Sequence, residues 1–470
     1  MPVTMMVPTH RATTRRSQGA LMILNLRIGN WMSFQGEAEF TLLASSERQH
    51  GDRVPRVEAL QKRVLPIAAI YGGNASGKTN LFRALHALQN LVVQGVAIDA
   101  PIRVEPFRLD AQAAQAPCRF AIEVLIDERV WDYRVACTRL AIVQESLTIV
   151  TRSSTRSLFT RDGDRITLGD DIEGDRAGLE FVAKGTRSNQ LFVTNAVSQK
   201  VETFRPFYDW MRDQLVLIAP DSRFAPFEQL IDRQGPYQHV MPSALERLDT
   251  GIVNLDSEPV ELSSLGLPKP LIEELASKVK PNEAVRLVLG ETQDRIIIRR
   301  DGQGDLKAER LVSFHRGSDG GNVRFDLRHE SDGSQRAIDL LPAFMTLQSH
   351  PVTLVIDELD RSLHTQLTRL LITGFLGTCT KATRSQLLFT THDVQLMDQH
   401  LLRRDEMWLV ERDRNGASSL VSFSEFNQDI RYDKDIRKAY LQGRMGGVPH
   451  LRPWVTETAT PASPNSEARP

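Results

Sequence analysis

The stretch with the clearest chemical pattern runs from Ile70 to Asn80 and reads IYGGNASGKTN. It fits the spacing G-x-x-x-x-G-K-[ST], in which glycines let successive backbone N–H groups face one phosphate group. Lys78 would reach the β- and γ-phosphates, and the Thr79 hydroxyl would coordinate Mg²⁺. The pattern predicts that a nucleoside triphosphate contacts a loop made of Gly72, Gly73, Asn74, Ala75, Ser76, Gly77, Lys78, Thr79 and Asn80.

The residues around this loop have the pattern that such a loop requires. An apolar run of strand length, residues 64–71, precedes it, and leucines at roughly helical spacing follow it from Leu81 to Leu91. Strand, loop and helix in this order are expected of a phosphate-binding loop. The alternative is a glycine-rich turn that matches the spacing by accident.

Two carboxylates follow a second apolar run, residues 352–356. That run reads as a strand buried on both faces, so Asp357 and Glu358 would lie at the carboxyl edge of a parallel sheet, beside the phosphate loop. Asp357 would hold Mg²⁺ directly or through water, and Glu358 would act as general base on the attacking water. The alternative is that two charged residues simply terminate a strand.

A third apolar run, residues 386–390, leads to His392. A histidine at the end of a core strand can contact the γ-phosphate, so Glu358, His392 and Lys78 are the expected catalytic residues. A structural histidine with satisfied hydrogen bonds is the alternative.

A weaker pattern, Ser331-x-Gly333-x-Gln335, precedes an apolar helix and the Asp357-Glu358 strand. Read alone, it is also compatible with a plain helix N-terminus capped by serine. Its position in the order of motifs makes Ser331, Gly333 and Gln335 candidate nucleotide-binding residues.

The predicted fold class is α/β: a mixed sheet flanked by helices, with an inserted subdomain that is partly helical and partly β. Two antiparallel strands, residues 21–28 and 39–43, should lead into the phosphate-loop strand, with a mobile polar loop at 45–57 and helices over 189–275. The expected divisions are a disordered extension (1–20, with Met22 as an alternative start), an N-terminal ATPase lobe (21–150), an insertion (151–325), a C-terminal ATPase lobe (326–452) and a disordered tail (453–470).

Bulk composition excludes several classes of protein. The 470 residues carry a net charge of −1, so no global basic field attracts nucleic acid, although a local basic patch stays open. Three distant cysteines give no disulfide framework or zinc site, which favours a reducing cytoplasm. No run approaches the roughly 20 apolar residues of a membrane span, so no membrane partner is expected.

Together these motifs resemble ATP-binding-cassette ATPases of the SMC/RecF-like branch. In more detail, the segments 71–80, 330–336, 357–364, 389–393, 403–408 and 440–449 are similar to AAA-family ATPases of abortive infection of the AbiL type, and to the ATPases of PARIS- and Septu-like anti-phage systems. The resemblance implies two protomers closed head to tail around two ATP molecules. Ser331, Gly333 and the D-loop-like Asp360 would then act across the interface, and Gln144 is a candidate for the Q-loop glutamine.

The resulting expectation is a Mg²⁺-dependent cytoplasmic ATPase that works as a nucleotide-driven switch in phage defence and acts on a separate effector protein. A separate effector is expected because the sequence has no Cys-x-x-Cys pair, no histidine-rich finger and no acidic triad on apolar strands. The alternatives are a RecF-like DNA-repair ATPase and a scaffold that holds ATP without hydrolysing it. A ring-forming AAA+ machine is disfavoured by the order of the motifs.

Overall fold

The description of the fold comes from a computed structural model. It covers residues 4–6, 21–220 (apart from 153, 171 and 173), 241–279, 284–288, 295–426 (apart from 302) and 436–445. Within these residues the chain forms three large β-sheets and one short ladder between β4 (Arg56–Val57) and β5 (Lys62–Arg63). The predicted tail at 453–470 lies outside the described residues.

The core sheet has the strand order β12-β18-β19-β6-β20-β21. Its strands are β6 (Ile67–Tyr71), β12 (Leu215–Ile218), β18 (Thr353–Ile356), β19 (Gln386–Thr390), β20 (Met407–Arg412) and β21 (Ser418–Ser422). All are parallel except β21, which pairs antiparallel with β20. The carboxyl ends of β6, β18 and β19 therefore meet at one edge, where the three predicted motifs follow them.

Alternating residues of the core strands face two hydrophobic clusters. In β6, Ala68 and Ile70 pack on the side of helix α1 (Lys78–Val93), whereas Ile67, Ala69 and Tyr71 pack on the side of helix α7 (Asp332–Ser349). Each apolar run is thus buried on both faces, as the sequence predicts, and the sheet gives the motif-bearing loops a rigid base.

The antiparallel sheet has the order β11-β10-β9-β8-β7-β2-β3. It consists of β2 (Leu21–Trp31), β3 (Phe34–Thr41), β7 (Cys118–Ile126), β8 (Arg129–Cys137), β9 (Ile142–Val150), β10 (Thr155–Asp162) and β11 (Arg165–Leu168). The expected strand at 21–28 lies within β2, whereas β3 begins at Phe34 and shares only residues 39–41 with the expected strand at 39–43. The expected lobe boundary at 150 is wrong, because β10 pairs with β9 and carries the sheet on to residue 168.

A third sheet, called the insert sheet here, has the order β1-β14-β15-β16-β13, with β17 also paired to β16. Its strands are β1 (Thr4–Met6), β13 (Ile252–Val260), β14 (Ala284–Val288), β15 (Arg295–Arg300), β16 (Leu306–Arg316) and β17 (Asn322–Asp326). The expected disorder of residues 1–20 therefore does not extend to β1, which pairs with β14.

The region expected to be helical, 189–275, is only partly so. The α-helices that begin in this region are α3 (Phe192–Ser198), α4 (Arg205–Asp209), α5 (Met241–Arg247) and α6 (Lys269–Lys278). Outside it lie α2 (Arg176–Lys184), α7 as above, α8 (Thr365–Leu376) and α9 (Ile436–Leu441). Strands β12 and β13 interrupt this region. The helical prediction missed β13 because its polar residues and Pro259 hide the strand alternation. Strand β12 belongs to the core sheet, so the expected insertion at 151–325 is not one continuous unit.

Candidate active site

Two glycines of the phosphate loop have conformations and neighbours that exclude a side chain. Gly72 has φ +152°, and a Cβ there would overlap the Val410 carbonyl oxygen and lie 2.6 Å from Ser76 Oγ. Gly77 has φ +118°, and a Cβ there would lie 2.7 Å from Ser33 Oγ. The backbone is thus packed too closely for alanine at either position.

Two serines from outside the motif hold the phosphate loop in place. Ser418 in β21 donates a hydrogen bond to the Ser76 carbonyl oxygen (2.5 Å), and its Oγ lies 2.7 Å from Ser33 Oγ in the β2–β3 turn. Ser33 also accepts a hydrogen bond from the Asn80 side chain (2.8 Å). The antiparallel sheet and the far edge of the core sheet therefore both fix the loop.

Lys78 is ready to bind an anion. Its side chain donates hydrogen bonds to the carbonyl oxygens of Gly72 (2.8 Å) and Gly73 (3.1 Å), and the residue is only 5% exposed. Burial lowers the pKa of Lys78 to about 8, although the charges of Asp357 and Glu358 oppose this shift. A buried ammonium with only neutral hydrogen-bond partners gains strongly from a phosphate group.

Asp357 and Glu358 follow β18 and share one partner, Thr390 at the end of β19. Thr390 Oγ1 donates a hydrogen bond to Asp357 Oδ1 (2.6 Å) and accepts one from the Glu358 backbone N–H (2.7 Å). Glu358 has φ +52°, in the left-handed region that is rare for a residue with a side chain. The neighbouring strand thus sets the positions of both carboxylates.

His392 completes the edge. Its Nδ1 lies 3.4 Å from Lys78 Nζ and its Nε2 lies 3.9 Å from Glu358 Oε1, while its backbone N–H donates to the Asp360 carboxylate (3.2 Å). Burial, together with the Lys78 charge, lowers the pKa of His392. The lowered pKa favours the neutral imidazole, which can accept a proton or share one with a phosphate oxygen.

These residues surround a cavity of about 580 Å³. Its lining includes Asn74 to Asn80, Glu358 and His392, all predicted from the sequence. It also includes residues that the sequence analysis missed, namely Met32, Ser33, Glu105, Pro106, Phe107, Arg108, Leu109, Arg412 and Gly416. Arg412 ends β20 and the others lie in loops, and none has fixed motif spacing, so only the tertiary structure brings them to the cavity.

Ser331 and Gly333 lie elsewhere, on a separate cavity of about 400 Å³ that includes Ser362 and His364. Ser331 caps α7 by accepting a hydrogen bond from the Ser334 backbone N–H (3.1 Å). A Cβ on Gly333 would lie 2.7 Å from the Ser362 carbonyl oxygen, so the helix start and the loop after Glu358 are closely packed. One copy of the chain therefore does not bring Ser331 to its own phosphate loop.

The sequence profile of one protein family, described as "AAA domain, putative AbiEii toxin, Type IV TA system", matches residues 67–398. The chain belongs to this family. Among solved structures, the SMC head domain from Thermotoga maritima is similar, with 12% sequence identity and a TM-score of 0.32, over 85% of this chain and 98% of that chain. No curated protein sequence matches the chain.

Family membership and the core sheet together confirm the expected α/β fold class, a P-loop NTPase whose sheet is flanked by helices. Two of the predicted residues do not line the phosphate-loop cavity. Both amide atoms of Gln335 are used within the chain, by the Glu330 carbonyl oxygen (3.0 Å) and by Arg295 (3.1 Å), and its side chain lines neither cavity described above. Gln144 lies on β9 and lines a different cavity, so it is not placed as a Q-loop residue.

The carboxylate of Asp357 fits a magnesium site in this AAA-family chain. Asp357 is fully buried, and its Oδ2 has no hydrogen-bond partner. A buried charged oxygen without a partner is costly, and a hard divalent cation or its water would satisfy it. Thr79, at the rim of the same edge, lines the cavity. These are the two residues that the sequence analysis assigned to Mg²⁺.

No helix among the described residues combines the length and the apolar character needed to cross a membrane.

Proposed function

We propose that this protein hydrolyses ATP with Mg²⁺ at composite sites. Each site is formed by the phosphate loop of one copy and the Ser331 face of a second copy, where the Ser331 face means the surface around the cavity that Ser331, Gly333 and Leu370 line. The supporting observation is that the two halves of the motif set line separate cavities of one chain. Two copies arranged head to tail would bring each Ser331 face to the other copy's phosphate loop and so complete two sites.

The Ser331 face has the character of an interface. Leu370 lines the same cavity and is 45% exposed, and the N-terminus of the 18-residue helix α7 opens there. A helix N-terminus favours a negative charge, and an exposed leucine gains from burial against protein. This face therefore suits a partner that brings both an apolar surface and a phosphate.

The chemistry of the proposed reaction rests on residues placed above. Glu358 would take a proton from water as the water oxygen attacks the γ-phosphorus. The bond to the bridging oxygen breaks, and ADP and inorganic phosphate leave. Lys78 and His392 would stabilise the charge on the γ-phosphate oxygens, and Asp360 would hold the His392 backbone in position. When bound, Mg²⁺ would neutralise part of the negative charge on the phosphates.

The first test is the solution mass of Glu358→Gln, measured by light scattering with and without Mg-ATP. Loss of the general base should lower kcat by roughly 10²- to 10⁴-fold and leave ATP bound, so the mass should double. Adding Ser331→Arg to this variant should abolish the doubling while ATP binding remains. Tight ATP binding at unchanged monomer mass would contradict the composite site.

We further propose that the ATPase cycle controls a separate effector in cytoplasmic anti-phage defence. The support is the family description, which names a putative AbiEii toxin and a type IV TA system, together with the sequence resemblance to defence ATPases. The test is to purify the tagged protein from its host and to assay it alone for nuclease activity. A nucleotide-dependent partner is expected, with no intrinsic cleavage.

Intrinsic DNA cleavage without any partner would overturn the proposal of a separate effector. Strong stimulation of ATP hydrolysis by DNA would favour the DNA-repair alternative.

A further inference from the structure

The cavity around Ser331 has a second wall, formed by the end of α5 and the turn into β13. Arg247, Asp249 and Thr250 line it together with Ser331 and Gly333. Arg247 is exposed, and in the described part of the chain no hydrogen bond or ion pair engages its guanidinium group. An exposed cation beside a helix N-terminus has the chemistry of an anion-binding site.

The fold holds Arg247 in place although its tip is exposed. Leu245 and Leu248, on either side of it, are buried in the hydrophobic cluster that contains residues of α7. Asp249 (φ +51°) and Gly251 (φ +74°) then turn the chain sharply into β13. Because buried neighbours and a tight turn fix the backbone, the guanidinium group can move only by its own side-chain torsions.

The same sheet that carries this turn also holds the start of α7. Glu330, directly before Ser331, accepts hydrogen bonds from Ser313 Oγ (2.6 Å) and lies 2.7 Å from His315 Nε2. His315 on β16 is paired with Ile252 on β13. Ser331 and Arg247 therefore lie on one connected support and line the same cavity.

We propose that Arg247 binds, in trans, the triphosphate held by the partner copy's phosphate loop and stabilises negative charge as the γ-phosphate leaves. This inference rests on the proposed function, because it requires the composite site. The guanidinium fork suits phosphate oxygens, whereas nearby Asp249 cannot itself bind an anion. The sequence motifs gave no indication of Arg247, since it lies more than 80 positions before the Ser331 motif.

The decisive experiment is complementation between two defective variants. Lys78→Ala removes the phosphate-loop cation, and Arg247→Ala removes the proposed trans cation. Each alone should lose roughly 10²-fold or more in kcat. In a mixed dimer, the Arg247→Ala copy contributes an intact phosphate loop and the Lys78→Ala copy contributes an intact Arg247, so one complete site forms and activity returns. Arg129→Ala, at the exposed start of β8, is the matched control and should keep full activity.

A second mixture, Ser331→Arg with Lys78→Ala, tests the composite site independently. If both mixtures recover activity to the same level, Arg247 acts in trans. If only the Ser331→Arg mixture recovers, the composite site stands and the role of Arg247 is overturned. If neither recovers, the proposed function itself fails. Wild-type activity of Arg247→Ala alone would also overturn the inference.

A binding measurement supplies a readout other than activity. In the Glu358→Gln background, a fluorescent ATP analogue should dissociate from the closed dimer roughly tenfold faster when Arg247 is alanine, because one charge-assisted hydrogen bond is lost. Arg247→Lys keeps the charge but loses the fork, so its rate should fall between the two. An unchanged dissociation rate for Arg247→Ala would count against contact with the nucleotide.

Discussion

At the scale of single residues, Thr390 is the side chain on which both carboxylates of the site depend. Its one hydroxyl group donates to Asp357 and accepts from the Glu358 backbone, at 2.6 and 2.7 Å. Because both contacts form at the end of β19, this strand sets where the proposed general base lies relative to the phosphate loop.

Replacing Thr390 with valine should therefore reduce catalysis more than binding. We expect kcat to fall at least roughly tenfold with ATP affinity nearly unchanged, and stability to fall by about 1–3 kcal/mol because Asp357 loses a buried partner. Thr390→Ser keeps the hydroxyl group and should retain most of the activity. Single-turnover hydrolysis and ATP titration separate the two effects, and equal losses in Thr390→Val and Thr390→Ser would contradict this role.

The pKa of Lys78, about 8, gives ATP binding a pH dependence. Below pH 8 the buried ammonium is charged and attracts phosphate, whereas above pH 8 it loses its proton in the free protein. The dissociation constant for ATP should therefore rise by up to about tenfold per pH unit above 8, with proton uptake on binding. Titration calorimetry in buffers of different ionisation enthalpy measures this uptake, and Lys78→Arg, which stays charged, should show none.

The same pKa fixes the sign of the effect of Lys78 on folding. Its ordinary value is 10.5, so between pH 8 and 10.5 the unfolded chain binds more protons at this group than the folded chain does. The cost of burying Lys78 is thus largest below pH 8 and disappears as the pH rises toward 10.5. Lys78 should therefore make the free energy of unfolding rise with pH between pH 8 and 10.5. Lys78→Met should abolish this contribution.

The sequence could predict the site residues that follow core strands, because each of these residues comes shortly after an apolar run that is recognisable as a buried strand. Lys78, Asp357, Glu358 and His392 belong to this class, and the structure brings them to one edge. It could not predict Arg412, which reaches the cavity only through long-range packing.

At the scale of elements, the segment expected to be a mobile loop, 45–57, is anchored. Arg403 is fully buried, pairs with Asp405 (2.7 Å) and donates to the Gln49 carbonyl oxygen (2.6 Å). Arg53 forms an ion pair with the buried Glu406. Polar composition suggested mobility, but here the polar groups are partners of a buried charge network in residues 403–406.

Arg403→Ala should release this segment. It leaves Asp405 buried without its main cation, so we expect a loss of about 3–5 kcal/mol in the free energy of unfolding. Limited proteolysis should then cut near Arg48, which the intact network protects. Arg414→Ala, at an exposed position between β20 and β21, serves as the control and should change neither measurement. Unchanged stability and protease resistance in Arg403→Ala would show that the network does not hold the segment.

At the scale of the whole molecule, the insert sheet is joined to the ATPase core through the start of α7. Arg295 on β15 pairs with the buried Asp339 on α7 (3.1 Å), and Glu330 contacts Ser313 and His315 on β16. The sequence could indicate strands here, but the joining residues are far apart along the chain. Any movement of the Ser331 face on binding nucleotide would therefore be shared with the insert sheet.

Glu330→Ala should weaken this connection and so separate nucleotide binding from association. The phosphate loop lies on the core sheet and keeps its contacts, so a single copy should bind ATP with unchanged affinity. The Ser331 face loses its support from β16, and ATP-driven association should weaken by about 1–3 kcal/mol, roughly 5- to 150-fold. Light scattering across a concentration series in the Glu358→Gln background measures this change.

Glu258→Ala removes an exposed ion pair with Arg324 on the same sheet and should leave association intact. Equal weakening by both substitutions would indicate a general loss of stability in the insert sheet, whereas a loss confined to Glu330→Ala would mean that this sheet sets the geometry of the composite site.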